Sequence, residues 1–265
     1  MRSERLTDRG RIRALLQADR KWAAYALGDL EPGYFEDCVW YRAGGALAML
    51  YTGFQPPILF AQGPASDVRD LSADVAVEHP AVALLIQVEH LPMLEGILSV
   101  SRPIPMWRMV LNQLLFQASG DEDVAPLGHE ALDEINDLFG SSSDAPDTFT
   151  PEQLERGMFY GVRVEGRLDA LAGTHVVSQA EGVAAVGSVF VRPQQRGRGL
   201  GFRVTRAVTA RLVEAGIETI VLNVAQANAP AIRMYEKLGY RRYCAFYEGT
   251  ARRAEPIAPD TNFTN

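Results

Sequence analysis

Two cysteines in 265 residues, Cys38 and Cys244, are too few for a disulfide framework and too far apart for a CxxC pair. A reducing compartment, the cytoplasm, is the expected location. The four histidines, His79, His90, His129 and His175, show no metal-ligand spacing, so no metal is expected. Ser188 does not sit in a GxSxG elbow, and no GxxxxGKS/T phosphate loop occurs, which leaves hydrolase and P-loop chemistry without support. Basic residues are outnumbered, 26 Lys and Arg against 33 Asp and Glu, for a net charge of -7. A surface devoted to nucleic acid is thereby excluded, and cationic or neutral small molecules fit better. No apolar stretch follows the charged start MRSERLTDRGRIR, so no secretory signal is expected. Ala43 to Ser66 is uncharged over a membrane-relevant length, but Pro56-Pro57 and Gly44, Gly45, Gly53 and Gly63 cut it into strand-length pieces. It reads as buried sheet, and no membrane partner is expected.

What is present suits a packed protein: 47% hydrophobic and 22% charged residues, enough for a core without metals or disulfides. Breaks at Ser119 to Gly128 and Ser141 to Gln153 place a boundary near residue 120. The expected division is an accessory α/β domain over 1–120, a second domain over 121–250 and a mobile tail over 251–265. Before the break, helical patterns (Arg11 to Ala18, Lys21 to Leu27, Val68 to Val77, Leu91 to Leu98) alternate with strand-length runs at Val39 to Arg42, Ala46 to Tyr51, Ile58 to Gln62, Val82 to Glu89 and Met106 to Phe116. After it come helices around His129 to Phe139 and Pro151 to Arg156. An antiparallel meander follows over Phe159 to Glu165, Ala170 to Ser178 and Val183 to Val191. A helix from Leu200 to Ala215 carries Leu200, Val204, Ala207, Val208, Leu212 and Ala215 on one stripe and ends at Gly216. A strand at Ile220 to Val224, a helix at Pro230 to Leu238 and a strand at Tyr240 to Tyr247 complete the pattern. The fold class is α/β in the α+β sense: a mixed, mostly antiparallel central sheet with helices on both faces.

The stretch VRPQQRGRGLG is the most informative. A strand running into a glycine-rich turn and then a helix exposes N–H groups where the helix dipole favours an anion. Gly197, Gly199 and Gly201 allow close backbone approach, while Arg196 and Arg198 add cationic donors. Arg196-x-x-Gly199-x-Gly201 resembles the R/Q-x-x-G-x-G/A signature of the GNAT superfamily of acyl-CoA-dependent N-acyltransferases. Leu222-x-Val224-x-x-x-Asn228-x-x-Ala231-x-x-x-Tyr235-x-x-x-Gly239-Tyr240 resembles that family's second motif. The resemblance covers about Gly128 to Tyr247. The N-terminal half more loosely resembles a degenerate GNAT-like domain, in the two-part layout of glycine N-acyltransferase-like proteins, and has no RxxGxG of its own.

The resemblance implies acetyl transfer from acetyl-CoA to a small-molecule or peptide amine by direct attack in a ternary complex. It implies backbone contacts to the pantetheine arm from Val189, Phe190 and Val191, and a pyrophosphate seat at Arg196, Gly197, Arg198, Gly199, Leu200 and Gly201. Asn228 is either a coenzyme contact or the N-cap of the helix after it. Tyr235 matches the family's general acid, and a phenol with an ordinary pKa near 10 is protonated at neutral pH. Family members often carry a carboxylate base on the strand before the turn, yet Val183 to Val191 holds none. His175, Glu181 or a water relay are the alternatives, with His175 equally readable as structural. Arg192 and Arg203 read as solvated. The competing function is a non-catalytic acyl-CoA-binding sensor or assembly module.

Overall fold

The computed structural model describes residues 3–118, 122–142 and 149–254. In chain order the elements are β1 (Glu4–Leu6), α1 (Arg9–Leu16), α2 (Ala24–Gly28), β2 (Cys38–Ala43), β3 (Ala46–Tyr51), β4 (Ile58–Gln62), α3 (Ala65–Glu78), β5 (Ala81–Gln87) and β6 (Leu98–Leu111). They continue with β7 (Val124–Pro126), α4 (Leu132–Phe139), α5 (Pro151–Arg156), β8 (Phe159–Val164), β9 (Arg167–Ser178), β10 (Val183–Val191), α6 (Leu200–Glu214), β11 (Thr219–Ala225), α7 (Ala229–Lys237) and β12 (Tyr240–Arg253). The second series repeats the first: a short strand, two helices, three strands, a long helix, a strand, a helical turn or helix, and a closing strand. In both, the strands before and after the long helix pair in parallel, β4 with β5 and β10 with β11, while the other registers are antiparallel.

The compact units do not coincide with these repeats. One holds residues 1–15, 33–105 and 245–265, the other 16–32 and 106–244. The closing strands are exchanged: β12 pairs with β5 from Phe246↔Gln87 to Arg252↔Ala81, and β6 pairs with β11 from Val221↔Val110 to Ala225↔Met106. Helix α2, from the first repeat, likewise belongs to the second unit. The compact units divide within β6 and β12.

In the first unit α3 covers one face of the sheet with Val68, Leu71 and Val75, each nearly inaccessible, over Ala48, Leu50 and Leu59. In the second unit helices occupy both faces. Leu200, Val204, Val208 and Leu212 of α6 are buried against Ala170, Ala184, Val186 and Leu222, together with Ile232 and Tyr235 of α7. On the other face Ile135, Leu138 and Phe139 of α4 pack with Leu154, Phe159, Leu171 and Phe190. Each such side chain contributes about 1.5–3 kcal/mol on burial, so the stripe on α6 accounts for most of its helix stability. The helix stops where the Gly216 N–H reaches the Val213 carbonyl at 2.9 Å and the Ile217 N–H the Leu212 carbonyl at 3.1 Å, closing the last turn.

Three local expectations are corrected and a fourth agrees. Leu91 to Leu98 is not a helix: only Leu91–Leu94 makes a 3-10 turn with Pro92 at its start, and Leu98 already begins β6. That strand ends at Leu111, since Gln113–Leu115 turns off under the Asn112 side chain. The tail is strand through Arg253, with residues beyond 254 outside the described set. Ala43 to Ser66 does contain the buried strands β3 and β4, and no helix among the described residues is long and apolar enough to cross a membrane.

Candidate active site

Strands β10 and β11 are paired only from Val183↔Thr219 to Val186↔Leu222, although β10 runs on to Val191 and β11 to Ala225. Beyond Val186 they diverge, and the β11-facing edge of β10 from Gly187 to Val191 has no strand partner among the described residues. The chain then makes a 3-10 turn at Pro193–Gln195 and enters α6 through Gly197 and Gly199, with φ of 79° and 80°. A side chain is strained at such angles, yet a Cβ at either glycine would meet nothing within 4 Å. The glycines therefore serve backbone shape and an open approach, not packing. The first turn of α6 has no acidic residue, and its leading N–H groups lack intrahelical acceptors. Arg196 and Arg198 are exposed beside it, with Arg196 Nε donating to the Val191 carbonyl at 3.1 Å. The matching junction of the first repeat differs. There Gly63-Pro64 leads straight into α3, and Asp67 in its first turn accepts the Gly45 N–H at 2.8 Å, placing a negative charge where an anion would sit.

The turn before α6 is anchored from below. Asp169, fully buried on β9, accepts from Arg167 Nε at 2.9 Å, Arg192 Nε at 2.9 Å and Gln195 Nε2 at 3.0 Å. Arg192 also donates to Asp137 at 2.7 Å and to the Leu168 carbonyl at 3.2 Å. Gln195 passes the connection on, its Oε1 accepting from Arg198. Arg192 is thus not solvated: at 8% exposure it is the counter-ion of a buried carboxylate. Arg203 is likewise engaged, with Asp123.

Near the start of the divergence lies a hydrogen-bonded cluster. The β9–β10 register passes from Ala185↔Val176 to Val186↔Thr174, which leaves His175 unpaired as a bulge, and a second shift falls between Gly187 and Phe190. Ser188 there has φ 50°. Bulges re-aim side chains, and here they bring His175 Nε2 to 3.4 Å from Ser188 Oγ, while its Nδ1 meets the Tyr25 hydroxyl at 3.2 Å. The ring lies over Gly187, where a Cβ would be 2.2 Å from Nε2. Desolvation by the surrounding protein lowers the imidazole pKa from its ordinary value, which favours the neutral ring. Tyr235, 7% exposed and edge-on to Tyr240 at 6.1 Å, has its phenol pKa raised above the usual range, chiefly by burial and further by Tyr25. Fully buried Arg108 on β6 lies 4.8 Å from the Tyr25 ring centroid and 5.1 Å from that of Trp22.

The acetyltransferase (GNAT) family model matches residues 129–240, which contain the divergent strands, the glycine turn and Tyr235. Residues 129–240 therefore carry a GNAT domain. A mycothiol acetyltransferase of Thermobispora bispora is 40% identical over 91 residues, 33% of this chain and 30% of that protein. The ribosomal-protein-bS18-alanine N-acetyltransferase of Escherichia coli is 33% identical over 106 residues, 40% of this chain and 66% of that protein. A solved structure from Novosphingobium aromaticivorans, described as a GNAT-family acetyltransferase, superposes with a TM-score of 0.60 at 25% identity, over 87% of this chain and 96% of that one. The match to the mycothiol acetyltransferase thus spans under a third of that protein's length.

Within this GNAT domain the site residues expected from sequence divide by role. Val189 and Val191 pack against the α6-side core, and Phe190 turns to the opposite face, edge-on to Phe139 at 5.7 Å, so the side chains serve the core on both faces. Gly201 is tightly set, a Cβ there lying 3.3 Å from Val191 and 3.4 Å from Met234. Asn228 acts as N-cap of α7, accepting the Ala231 N–H at 3.2 Å. Glu181 is buried at the far end of β10, its N–H donating to Ser178 Oγ at 3.0 Å. Sequence reasoning missed Asp169, Tyr25 and Arg108. An isolated acid at a strand start, or a tyrosine over a hundred residues from its partner, leaves no periodic trace.

Asp29, half-buried one helical turn after Tyr25, was also missed, and burial raises its carboxyl pKa to about 7. The folded chain therefore holds a proton that the unfolded chain releases from about pH 4 upward, and the stability this confers is lost as pH rises towards 7. Asp29→Asn is expected to raise Tm at pH 8 by a few degrees and leave it unchanged at pH 4. Equal shifts at both pH values in a thermal melt would rule out a desolvated carboxylate.

Proposed function

We propose that the chain is an acyl-CoA-dependent N-acyltransferase that moves an acetyl group from acetyl-CoA to a small-molecule or peptide amine, both substrates being bound together. The observation that supports this most directly is the divergence of β10 from β11 beside an open, left-handed glycine turn. The free backbone edge at Val189, Phe190 and Val191 suits the amide groups of a pantetheine arm. Arg196, Gly197, Arg198, Gly199, Leu200 and Gly201 would hold the pyrophosphate, by backbone N–H groups and two guanidinium groups. Asn228 contributes by fixing where α7, and hence Tyr235, begins.

In the transfer the amine nitrogen bonds to the thioester carbonyl carbon, the C–S bond breaks, the nitrogen loses a proton and the sulfur gains one. Tyr235 is the proposed acid: a phenol kept protonated by burial can hydrogen-bond the leaving sulfur and protonate it as charge develops. His175 is the proposed base, neutral and reached by solvent. An α-amine with pKa near 8 asks little of it. The relatives' names carry mycothiol, a small molecule, in one case and an alanine of a ribosomal protein in another, which supports a small molecule or a peptide terminus as the acceptor class here.

Gly199→Val tests the seat. A β-branched residue at φ 80° costs about 1–2 kcal/mol. Affinity for coenzyme A is expected to fall about tenfold or more in calorimetry, on the scale of one lost charge-assisted contact. Unchanged affinity with native-like melting would remove the turn from the site. A wild-type protein that binds acetyl-CoA tightly and releases no thiol with a panel of amines would establish the sensor instead, the reading favoured by the missing carboxylate on β10.

A further inference from the structure

Helix α2 stands in the first sequence repeat, yet residues 16–32 fold with the second unit, and α2 lies against β9 and β10 there. It is fixed at several points. Arg20 Nε donates to Thr219 Oγ1 at 2.9 Å, Gly28 packs so closely on Val176 that a Cβ would overlap it at 2.1 Å, and Ser178 Oγ donates to Glu31 at 2.5 Å. Between these anchors Tyr25 meets His175, its ring held over buried Arg108. A desolvated guanidinium over an aromatic face is among the stronger such contacts.

We propose that Tyr25 is a positioning residue for acyl transfer: its oxygen accepts the Nδ1 proton of His175 and thereby keeps the Nε2 lone pair turned towards Ser188 and the gap between β10 and β11. This rests on the acyltransferase reading, and it makes a helix of the first repeat part of the acceptor side of the second. The geometry supports it in three ways. A neutral imidazole carries one proton, so a partner at Nδ1 decides which nitrogen is basic. Gly187 leaves no side chain to displace the ring, and the two bulges place both imidazole nitrogens within reach of a hydroxyl. The contact also spans 150 residues of sequence, which only the placement of α2 in this unit can bring together.

The full-length protein labelled with nitrogen-15 provides the test, because imidazole nitrogen shifts report which nitrogen is protonated. At a pH where His175 is neutral, with its signals identified by loss in His175→Gln, the wild type is expected to show the Nδ1–H form. Tyr25→Phe should return it towards the Nε2–H form. In thiol-release assays Tyr25→Phe should lower kcat roughly tenfold, part of a general-base contribution, with the KM for acetyl-CoA within about twofold. In the His175→Gln background the same change should have less than about a twofold effect, since its route of action is gone. An Nε2–H form in the wild type, or an equal loss of kcat in both backgrounds, overturns the proposal. If the wild type releases no thiol with any amine, the acyltransferase reading fails, and Tyr25 then positions no transfer step even if the nitrogen shifts confirm its bond to His175.

Discussion

Tyr235→Phe is expected to lower kcat by roughly 10²-fold, the scale for loss of a positioned general acid, while affinity for coenzyme A and Tm change little. The reasoning begins with packing. Tyr235 is 7% exposed, lies in the core beside Val224, Ile232 and Leu238, and meets Tyr240 edge to face. Phenylalanine fills the same volume, so the ring contacts survive and the fold should tolerate the change. What disappears is one O–H group. That hydroxyl makes no protein hydrogen bond among the described residues, unlike the neighbouring Tyr240 hydroxyl, which lies 2.9 Å from Thr209 Oγ1. A buried phenol without a structural partner is available to a ligand, and its raised pKa keeps the proton in place across the working range. A purely packing role predicts the opposite division: turnover within about threefold of wild type, with any loss appearing in stability. Thiol release against pH, paired with calorimetric binding of coenzyme A, separates the two. Wild-type turnover in the mutant would remove Tyr235 from the chemistry.

The second large effect concerns the support beneath the turn. Asp169→Ala is expected to destabilise the fold by about 3–5 kcal/mol, because removing one partner of a buried pair strands the other. Arg192 would keep Asp137 and the Leu168 carbonyl, but Asp137 is largely exposed and a weak substitute. Gln195 would lose the acceptor of its Nε2 group and so the rigid link to Arg198. Loss of coenzyme affinity should therefore accompany the loss of stability. Urea denaturation at neutral pH gives the first quantity. A cost below about 1 kcal/mol would mean that Arg192 escapes to solvent, as in an ordinary surface pair. A double replacement, Asp169→Leu with Arg192→Met, should recover much of the stability but not the coenzyme affinity, since an apolar pair relieves the stranded charge without restoring the hold on Gln195.

The parts of this architecture legible from sequence are those with short-range causes. The stripe on α6 shows as a spacing of three and four, and its stop as a glycine. The left-handed turn before α6 shows as arginine and glycine within six residues, because its φ values are a local demand. Asn228 could be read as a cap for the same reason. The β8–β9–β10 meander also followed from alternation and turn residues. Where local cues conflicted, the reading failed: around Leu91 to Leu98 the apolar spacing suggests a helix, but Pro92 and Gly96 leave one 3-10 turn before a strand.

By itself, then, the sequence determined the GNAT domain, the mixed sheet with its long helices, the glycine turn and the place of Tyr235 in the helix after β11, since periodicity, capping and backbone freedom act within a few residues of where they are written. Only the tertiary structure decided which strands close which sheet, that α2 serves the unit of the other repeat, and that Asp169 and Arg192 are a buried pair. It also decided the aim of His175. A one-residue slip between β9 and β10 re-aims a side chain, and no pattern along β9 alone records the register in which β10 will meet it.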